Sequence, residues 1–218
     1  MRTLLPVAAS VAVALILPVC ARAQTVAADK ENNVVYTDAS GKSTRLTNEG
    51  KDSAPSLDPA KRRVVFVRAT PGKAVETGVG EGEATELWLI DVTGKNATML
   101  LRGKSDPKME RVLADFDTPQ FSPNGKIIYF GGSAWVTSGA IHAYDLAARR
   151  EHFVCPGSGL IVVPNGEYAG CLLVQQHRYF LGGGSYDWFY LLRPNGKEVA
   201  PVGEDTQMFQ DTYVKPVL

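Results

Sequence analysis

The sequence predicts an all-β fold: a small β-propeller of four-stranded antiparallel blades, four in number, with one composite blade built from both chain ends. Two observations lead to this prediction. A tight turn followed by an apolar strand occurs three times, and a strand–turn–strand motif occurs four times. Helical periodicity is almost absent, and the one candidate helix, 106–115, has Pro107 near its start. Four antiparallel strands in every 40 to 50 residues or so are typical of a propeller blade.

The first motif is clearest at Phe121–Phe130, FSPNGKIIYF, and its relatives are Leu57–Val67 and Val163–Val174. Each copy has a proline early in a tight turn, one or two polar residues, and a strand rich in β-forming residues. Proline presets the backbone for such a turn, and a glycine such as Gly125 can take the positive φ that closes it. We interpret each copy as the inner hairpin of one blade.

The second motif is a strand, a turn that starts near an aspartate or arginine, and another strand. It follows each copy of the first motif, and an additional copy lies near the start of the chain. The four copies are Asn33–Lys42, Glu86–Lys95, Ala140–Arg149 and Trp188–Lys197. Together the two motifs define the four strands of one blade.

Three complete units span Ser53–Leu101, Thr118–Val154 and Gly159–Val202. The segment Asn33–Thr47 is expected to supply the last two strands of a further blade, and the tail Gln207–Leu218 its first one or two. Closing a ring with strands from both termini would bury the exposed sheet edges. The alternatives are an open array of blades and closure through a partner chain.

The repeat resembles that of the TolB-like β-propellers. The resemblance lies in Leu46-Thr47 ahead of Pro55–Pro59, and in Pro119–Lys126, PQFSPNGK. It covers roughly Asn33 to Lys197, with a good middle copy and a degenerate third copy. It implies a propeller of the bacterial periplasm that is used chiefly for protein contacts, without catalytic residues in its blades. Propellers of this family usually have more blades than the four predicted here.

The first 23 residues are predicted to be a secretory signal peptide. Leu4–Val19 is apolar, and Ala21–Ala23 matches the small-residue cleavage pattern. The apolar run is shorter than a membrane-spanning helix requires and contains two prolines. Lipid attachment at Cys20 is an alternative, which the valine before that cysteine disfavours. We therefore expect a periplasmic or secreted protein, residues 24–218, that forms one domain and has no integral membrane segment.

Charge and cysteine content limit the class of protein further. The chain has equal numbers of basic and acidic side chains, and cleavage of the signal would leave a small acidic excess. A nucleic-acid-binding surface normally shows a basic excess, so nucleic acid is not an expected partner. Two cysteines follow the predicted signal, and an even number in an exported chain favours a disulfide between Cys155 and Cys171. The alternative is two buried free thiols.

Blade geometry places the loops of this chain on two distinct faces. Turns after the first and third strands of each blade lie on one face, and all of them are short. Loops after the second strands and links between blades lie on the other, and we call it the long-loop face. Its segments are Ala69–Thr85, Arg102–Asp117, Gly131–Gly139 and Gln176–Asp187. Long loops in compact domains are usually functional or disordered. Ala69–Thr85 contains four glycines and few apolar residues, so we expect a mobile linker there.

The candidate binding residues lie in two of these loops. Trp135 stands among small residues in one, and the other contains Arg178, Tyr179, Tyr186 and, at its end, Asp187. Trp, Tyr and Arg side chains dominate the energetics of protein interfaces. The alternative is that these aromatic rings pack back over the blade edges, which is the interpretation that we favour for the neighbouring Phe180.

Signals for catalysis are weak. Ser185 lies in GGGSYDW, but Asp187 occupies the place of the second glycine of a nucleophile elbow. His142, His152 and His177 lack the spacing of a metal motif, although His142 and His152 are expected on adjacent strands of one blade. We predict no catalytic residue, no metal site and no cofactor.

These observations favour a non-enzymatic periplasmic propeller that binds an envelope or periplasmic protein, or another envelope component, through the long-loop face. The alternative is a small secreted enzyme or a carbohydrate-binding, lectin-like propeller with its site in the same loops. The fold alone does not decide between these classes.

Overall fold

The structure is a computed structural model that describes residues 22–215, and β-strands dominate this range. Its helical segments are a 3-10 turn at Met109–Arg111, the short helix α1 at Gln207–Phe209 and a π-helical turn at Gln210–Val214. Within the described range, no helix has the length and apolar character needed to cross a bilayer.

The strands are β1 (Thr25–Ala28), β2 (Val34–Thr37), β3 (Ser43–Arg45), β4 (Asp52–Leu57), β5 (Arg63–Thr77), β6 (Gly80–Asp91), β7 (Thr98–Arg102), β8 (Asp117–Phe121), β9 (Ile127–Gly132), β10 (Ala140–Asp145), β11 (Arg150–Pro156), β12 (Ser158–Val162), β13 (Leu172–Tyr179), β14 (Ser185–Leu192) and β15 (Glu198–Gly203).

The strands form four antiparallel sheets, which are the blades of a β-propeller. Blade 1 contains β1 to β3, and blades 2, 3 and 4 contain β4 to β7, β8 to β11 and β12 to β15. Each sheet is a meander in which consecutive strands pair. The first strands of blades 2, 3 and 4 contact one another and are therefore the inner strands. The predicted all-β propeller of four blades is confirmed.

The hydrophobic core lies between the faces of successive blades. Separate clusters join blade 1 to blade 2, blade 2 to blade 3, and blade 3 to blade 4. Representative buried members are Val34, Tyr36, Val64 and Phe66 in the first, Val67, Leu87, Ile128 and Phe130 in the second, and Ile141, Cys155, Leu172 and Leu192 in the third. No hydrophobic cluster within residues 22–215 joins blade 4 to blade 1. The blades of the described chain therefore follow one another in an arc.

The turns of the second motif confirm the repeat at the level of single hydrogen bonds. In blade 1, Asp38 N–H donates to Lys42 O (3.0 Å) and Gly41 N–H donates to Asp38 O (2.9 Å). The same pair of bonds occurs at Asp91 in blade 2, at 3.0 and 2.8 Å, and at Arg193 in blade 4, at 2.8 and 2.9 Å. Glycine supplies the positive φ in all three turns.

A second repeated hydrogen bond shows which strands blade 1 contains. It closes the outer end of a blade in three places: Leu46 N–H donates to Val34 O, Gly103 N–H to Thr85 O, and Gly157 N–H to Gly139 O, at 2.7, 2.8 and 2.9 Å. In blade 2 this bond joins the residue after the fourth strand to Thr85 within the third strand, and in blade 3 it joins the residue after the fourth strand to Gly139, just before the third strand. Blade 1 therefore consists of second, third and fourth strands, and β2–β3 are the last two strands of a blade, as predicted.

The prediction that the C-terminal tail completes blade 1 is wrong for the described part of the tail. Residues 207–214 are helical, and their aromatic side chains pack on blade 4. The rings of Phe209 and Tyr213 lie 6.3 and 5.0 Å from Tyr168, in the turn between β12 and β13, and 4.9 Å from each other. The spacing of four residues places Phe209 and Tyr213 on the same side of the helical segment, so both rings reach Tyr168.

Blade 1 has a polar outer face, which suits the end of an array. Its core-facing residues are Val34 and Tyr36, so alternation places Thr37, Ser43 and Arg45 on the other side of the sheet. The hydroxyls of Thr37 and Ser43 are 2.9 Å apart. Terminal units of a repeat array need such a polar face to stay soluble.

The segment predicted to be a mobile linker is instead a β-hairpin. β5 and β6 continue to pair up to Thr77 opposite Gly80. Val75 and Ala84 are buried against Val112 and Ala114 of the link between blades 2 and 3. Small and β-branched residues at alternate positions allow this packing, in spite of the glycines. In the link itself, the candidate helix 106–115 is reduced to the single 3-10 turn.

The predicted disulfide is not present: Cys155 and Cys171 are both free thiols. Cys155 lies on β11, the outer strand of blade 3, and its side chain is buried in the core between blades 3 and 4. Cys171 lies at the start of β13, where its N–H donates to Tyr168 O in the turn after the inner strand of blade 4. The two residues therefore occupy an outer and an inner part of neighbouring blades, and burial raises the pKa of the Cys155 thiol to about 12.

Candidate functional site

The long-loop face is a layer of hydrogen-bonded segments over blades 2 and 3. At the tip of the β5–β6 hairpin, Gly78 N–H donates to Ala134 O in the β9–β10 loop (2.6 Å). Ser133 N–H of that loop donates to Ala114 O of the inter-blade link (3.0 Å). Segments from successive blades therefore hold one another in place, and this face is an ordered surface in the described structure.

Exposed apolar side chains concentrate on this face. Among the described residues, eight large apolar side chains are exposed, and five of them lie at the tips of the three long hairpins and loops. They are Val79 in blade 2, Val136 in blade 3, and Tyr179, Phe180 and Leu181 in blade 4. Tyr179 is 70% exposed and Leu181 is fully exposed at 109%. Single exposed apolar residues are common, but a group of them on one face indicates an interaction surface.

Arg178 and Tyr186 lie opposite each other on one side of the β13–β14 hairpin. The Arg178 guanidinium lies over the Tyr190 ring, 3.5 Å from its centroid, and donates hydrogen bonds to Gln176 and Glu198, both at 2.6 Å. Arg178 is therefore fixed in place, and its side chain is about one-third exposed. Such preorganisation reduces the entropy that an interface residue loses on binding.

Tyr186 belongs to an aromatic row along the same side of the hairpin. Its ring lies 4.5 Å from Phe180 and 5.1 Å from Trp188, and its hydroxyl is 3.4 Å from that of Tyr190. Phe180 therefore combines two roles, because its ring packs on Tyr186 while more than half of its surface stays exposed. The prediction of packing alone for Phe180 is incomplete.

The opposite side of the hairpin contains His177, Tyr179, Ser185 and Asp187. His177 Nδ1 lies 2.9 Å from Asp187 Oδ1, directly across the two strands, and the Tyr179 ring meets the His177 ring edge-on at 5.0 Å. Ser185 is the cross-strand neighbour of Tyr179. Within the described structure, no hydrogen bond joins Ser185 to His177, so a catalytic triad is not assembled here.

The remaining histidines do not form a metal site. His142 pairs across the sheet with Phe153, whereas His152 pairs with the next residue, Ala143, so their side chains point to opposite faces of blade 3. His142 is buried, stacks on Phe130 and lies 2.7 Å from a Glu151 carboxylate oxygen. No group of three potential metal-ligating side chains occurs in the part of the chain that the structure describes.

Trp135 lies apart from the other four candidate binding residues. It belongs to the β9–β10 loop, where its ring meets Phe153 edge-on at 6.0 Å, and it lines a cavity of about 330 Å³ between blades 2, 3 and 4. Among the described residues, no hydrogen bond or ring contact joins Trp135 to Arg178, Tyr179, Tyr186 or Asp187. The structure thus brings four predicted residues together on one hairpin and places the fifth in a neighbouring loop.

Val79, Val136 and Leu181 were not among the predicted binding residues. Val79 is a single apolar residue among glycines and polar residues, ETGVGEG, whereas Val136 and Leu181 each follow an aromatic residue, in AWVTS and FLGGG. Apolar residues next to glycines and small polar residues in a long loop could have identified these tips.

Comparison with family models and with curated proteins gives no match for this sequence. Solved structures do match. TolB from Acinetobacter baumannii superposes with a TM-score of 0.54 at 16% identity, over 83% of this chain and 40% of that one. A putative TolB from Agrobacterium tumefaciens superposes with a TM-score of 0.55 at 13% identity, over 82% of this chain and 59% of that one. The β-propeller domain of the Trilobed protease from Pyrococcus furiosus superposes with a TM-score of 0.52 at 13% identity, over 81% of this chain and 52% of that one. That domain is described as having an open velcro topology.

The fold is therefore that of a TolB-like β-propeller. The chain spans about two-fifths to three-fifths of the length of these three structures.

Proposed function

We propose that this chain is a non-enzymatic, exported propeller that captures a protein partner in the bacterial periplasm through its long-loop face. The observation that carries the proposal is the concentration of exposed apolar side chains at the tips of three long loops on the same face. Water-exposed apolar surface of this kind is costly unless a partner covers it. The TolB-like fold and the predicted signal peptide support a periplasmic location.

The β13–β14 hairpin of blade 4 is the centre of this surface. Tyr179 and Leu181 are the exposed anchors, and Arg178 and Tyr186 beneath them are held by neighbouring side chains. Tyr and Arg are enriched at the energetic centre of interfaces, and a rigid hairpin presents them without a large loss of entropy. Asp187, fixed by His177, offers a carboxylate at the rim of the same hairpin.

The proposal is tested by capture from an envelope extract with two matched sets of variants. Tyr179→Ala combined with Leu181→Ala should weaken capture of the partner by about thirtyfold or more, since truncating an interface anchor typically costs about 2 kcal/mol. The controls are Lys126→Glu and Lys197→Glu in the short turns, which should leave capture unchanged. Circular dichroism should show that all three variants stay folded.

Two results would reject the proposal. In one, the short-turn variants lose the partner and the hairpin variants keep it, which would move the binding surface to the opposite face. In the other, the purified protein turns over an ester or peptide substrate and loses this activity with Ser185→Ala, which would make the protein an enzyme.

A further inference from the structure

A cavity of about 330 Å³ lies on the long-loop face, between the tip of blade 2, the β9–β10 loop and the start of blade 4. Backbone hydrogen bonds fix its walls: Gly78 to Ala134, and Gly157 to Gly139 at 2.9 Å. Because three blades contribute to it, the cavity depends on the packing of the whole array. It is a preformed concave site of the kind that binds small molecules.

Asp117 lines this cavity, and the residue after it has an unusual backbone conformation. The next residue, Thr118, has a φ of 38°, which is rare for a β-branched residue, and its hydroxyl donates to Asp117 Oδ1 at 2.7 Å. Gly131 is opposite Asp117 in the sheet, and a Cβ there would collide with the carboxylate. Strained backbone of this kind tends to occur at functional sites.

The walls of the cavity contain further polar side chains. Ser133, Thr137 and Ser158 carry hydroxyls and Trp135 carries an indole N–H, and all four residues line the cavity. Hydroxyl groups both donate and accept, the indole N–H only donates, and an ionised carboxylate only accepts. Among the described residues, no lysine or arginine lines the cavity. This composition favours a ligand that offers several hydroxyls and carries no negative charge.

We propose that this cavity binds a neutral sugar residue of a glycan. A pyranose donates hydroxyl protons to Asp117 and exchanges hydrogen bonds with the three wall hydroxyls. Its C–H face can pack against the Trp135 ring, as apolar ligand surface does against aromatic walls. Acidic sugars and phosphorylated ligands are disfavoured because Asp117 would repel them. This inference does not depend on the proposed protein partner.

The experiment is a nuclear magnetic resonance titration of the ¹⁵N-labelled protein with N-acetylglucosamine, glucose and galacturonate. We expect at least one neutral sugar to give saturable shifts at the Trp135 indole and at the amides of Ser133 and Ser158. Galacturonate should bind more weakly than the neutral sugar. Asp117→Asn should weaken binding about tenfold or more, through loss of a charged hydrogen-bond acceptor. Ser158→Ala provides a second, milder test if Asp117→Asn perturbs the fold.

Two controls separate this inference from the proposed function. Glu81→Gln removes a carboxylate from a neighbouring cavity and should leave the titration unchanged. Tyr179→Ala, which should weaken capture of the protein partner, lies outside the cavity and should also leave sugar binding unchanged. The inference is overturned if no neutral sugar gives saturable shifts, if galacturonate binds as well as the neutral sugars, or if the shifts fall on the β13–β14 hairpin.

Discussion

Arg68 donates two hydrogen bonds to Asp52, a carboxylate that is fully buried at the start of β4. The Nε–Oδ1 and Nη2–Oδ2 distances are 2.6 and 2.9 Å, and the hydrogen bond to Asp52 raises the pKa of the Arg68 guanidinium. Arg68 also stacks over Trp88 at 4.9 Å. In the sheet register Arg68 faces Glu86, which in turn faces Arg102. Each of the four strands of blade 2 therefore contributes one residue to a row of alternating acidic and basic side chains across the sheet.

Removing the cation from this pair should be strongly destabilising. We predict that Arg68→Met lowers the free energy of unfolding by about 3–5 kcal/mol, because it leaves a buried carboxylate without its partner. Urea denaturation measures the change. The matched control is Lys215→Met, whose partner Asp211 is about half exposed and stays hydrated, and its effect should be much smaller. Similar losses for both variants would show that the buried pair has no special role.

The C-terminal helical segment should stabilise blade 4 without being a strand of blade 1. We predict that Phe209→Ala with Tyr213→Ala lowers the free energy of unfolding by roughly 1–3 kcal/mol, because it removes the aromatic contacts to Tyr168. Met208→Ala, a change at an exposed neighbour, is the control and should have little effect. An unchanged unfolding midpoint for the double variant would contradict the packing described here.

The buried thiol of Cys155 should make stability depend on alkaline pH. Its pKa is raised from 9.0 to about 12 by burial, so the folded protein keeps this proton at pH values where the unfolded chain releases it. Unfolding then releases a proton, and stability should fall as pH rises from 9 towards 12. The comparison is between wild type and Cys155→Ala across this window, since the variant removes this contribution and leaves the other groups. If the stability of both proteins had the same pH dependence, the raised pKa of the Cys155 thiol would be contradicted.

The β5–β6 hairpin beyond the body of blade 2 should be ordered in solution. Hydrogen exchange should show protection at Val75 and Glu83, whose strands pair and whose neighbours pack on the inter-blade link. The tip at Val79 provides an internal reference and should exchange rapidly. Rapid exchange along the whole segment 70–83 would support the mobile linker that the sequence suggests.

Local motifs explain how much of the fold can be predicted from the sequence. The proline–glycine turns and the strand–turn–strand motif are determined by residues that are close in the sequence. Their number and their order can therefore be predicted from the sequence. The structure of the tail cannot be predicted in this way, because its packing depends on contacts of Phe209 and Tyr213 with Tyr168, which is about 40 residues away in the sequence.

For the candidate site too, only the features that depend on residues close in the sequence can be predicted. Arg178, Tyr179, Tyr186 and Asp187 can be grouped from the sequence because they share one hairpin. The position of Asp117 in a cavity with Trp135 depends on the packing of three blades. Likewise, Cys155 lies on the outer strand of blade 3 and Cys171 lies just before the second strand of blade 4, and sequence spacing does not reveal this placement.

The central claim is that the long-loop face contacts a protein partner, and site-specific photo-crosslinking in intact cells tests it most directly. A photo-crosslinking amino acid is placed at Leu181 on the hairpin tip in one variant and at Lys126 in a short turn in another. The account predicts one discrete crosslinked species, identified by mass spectrometry, from position 181 and none from position 126. Crosslinks from position 126 alone would contradict it.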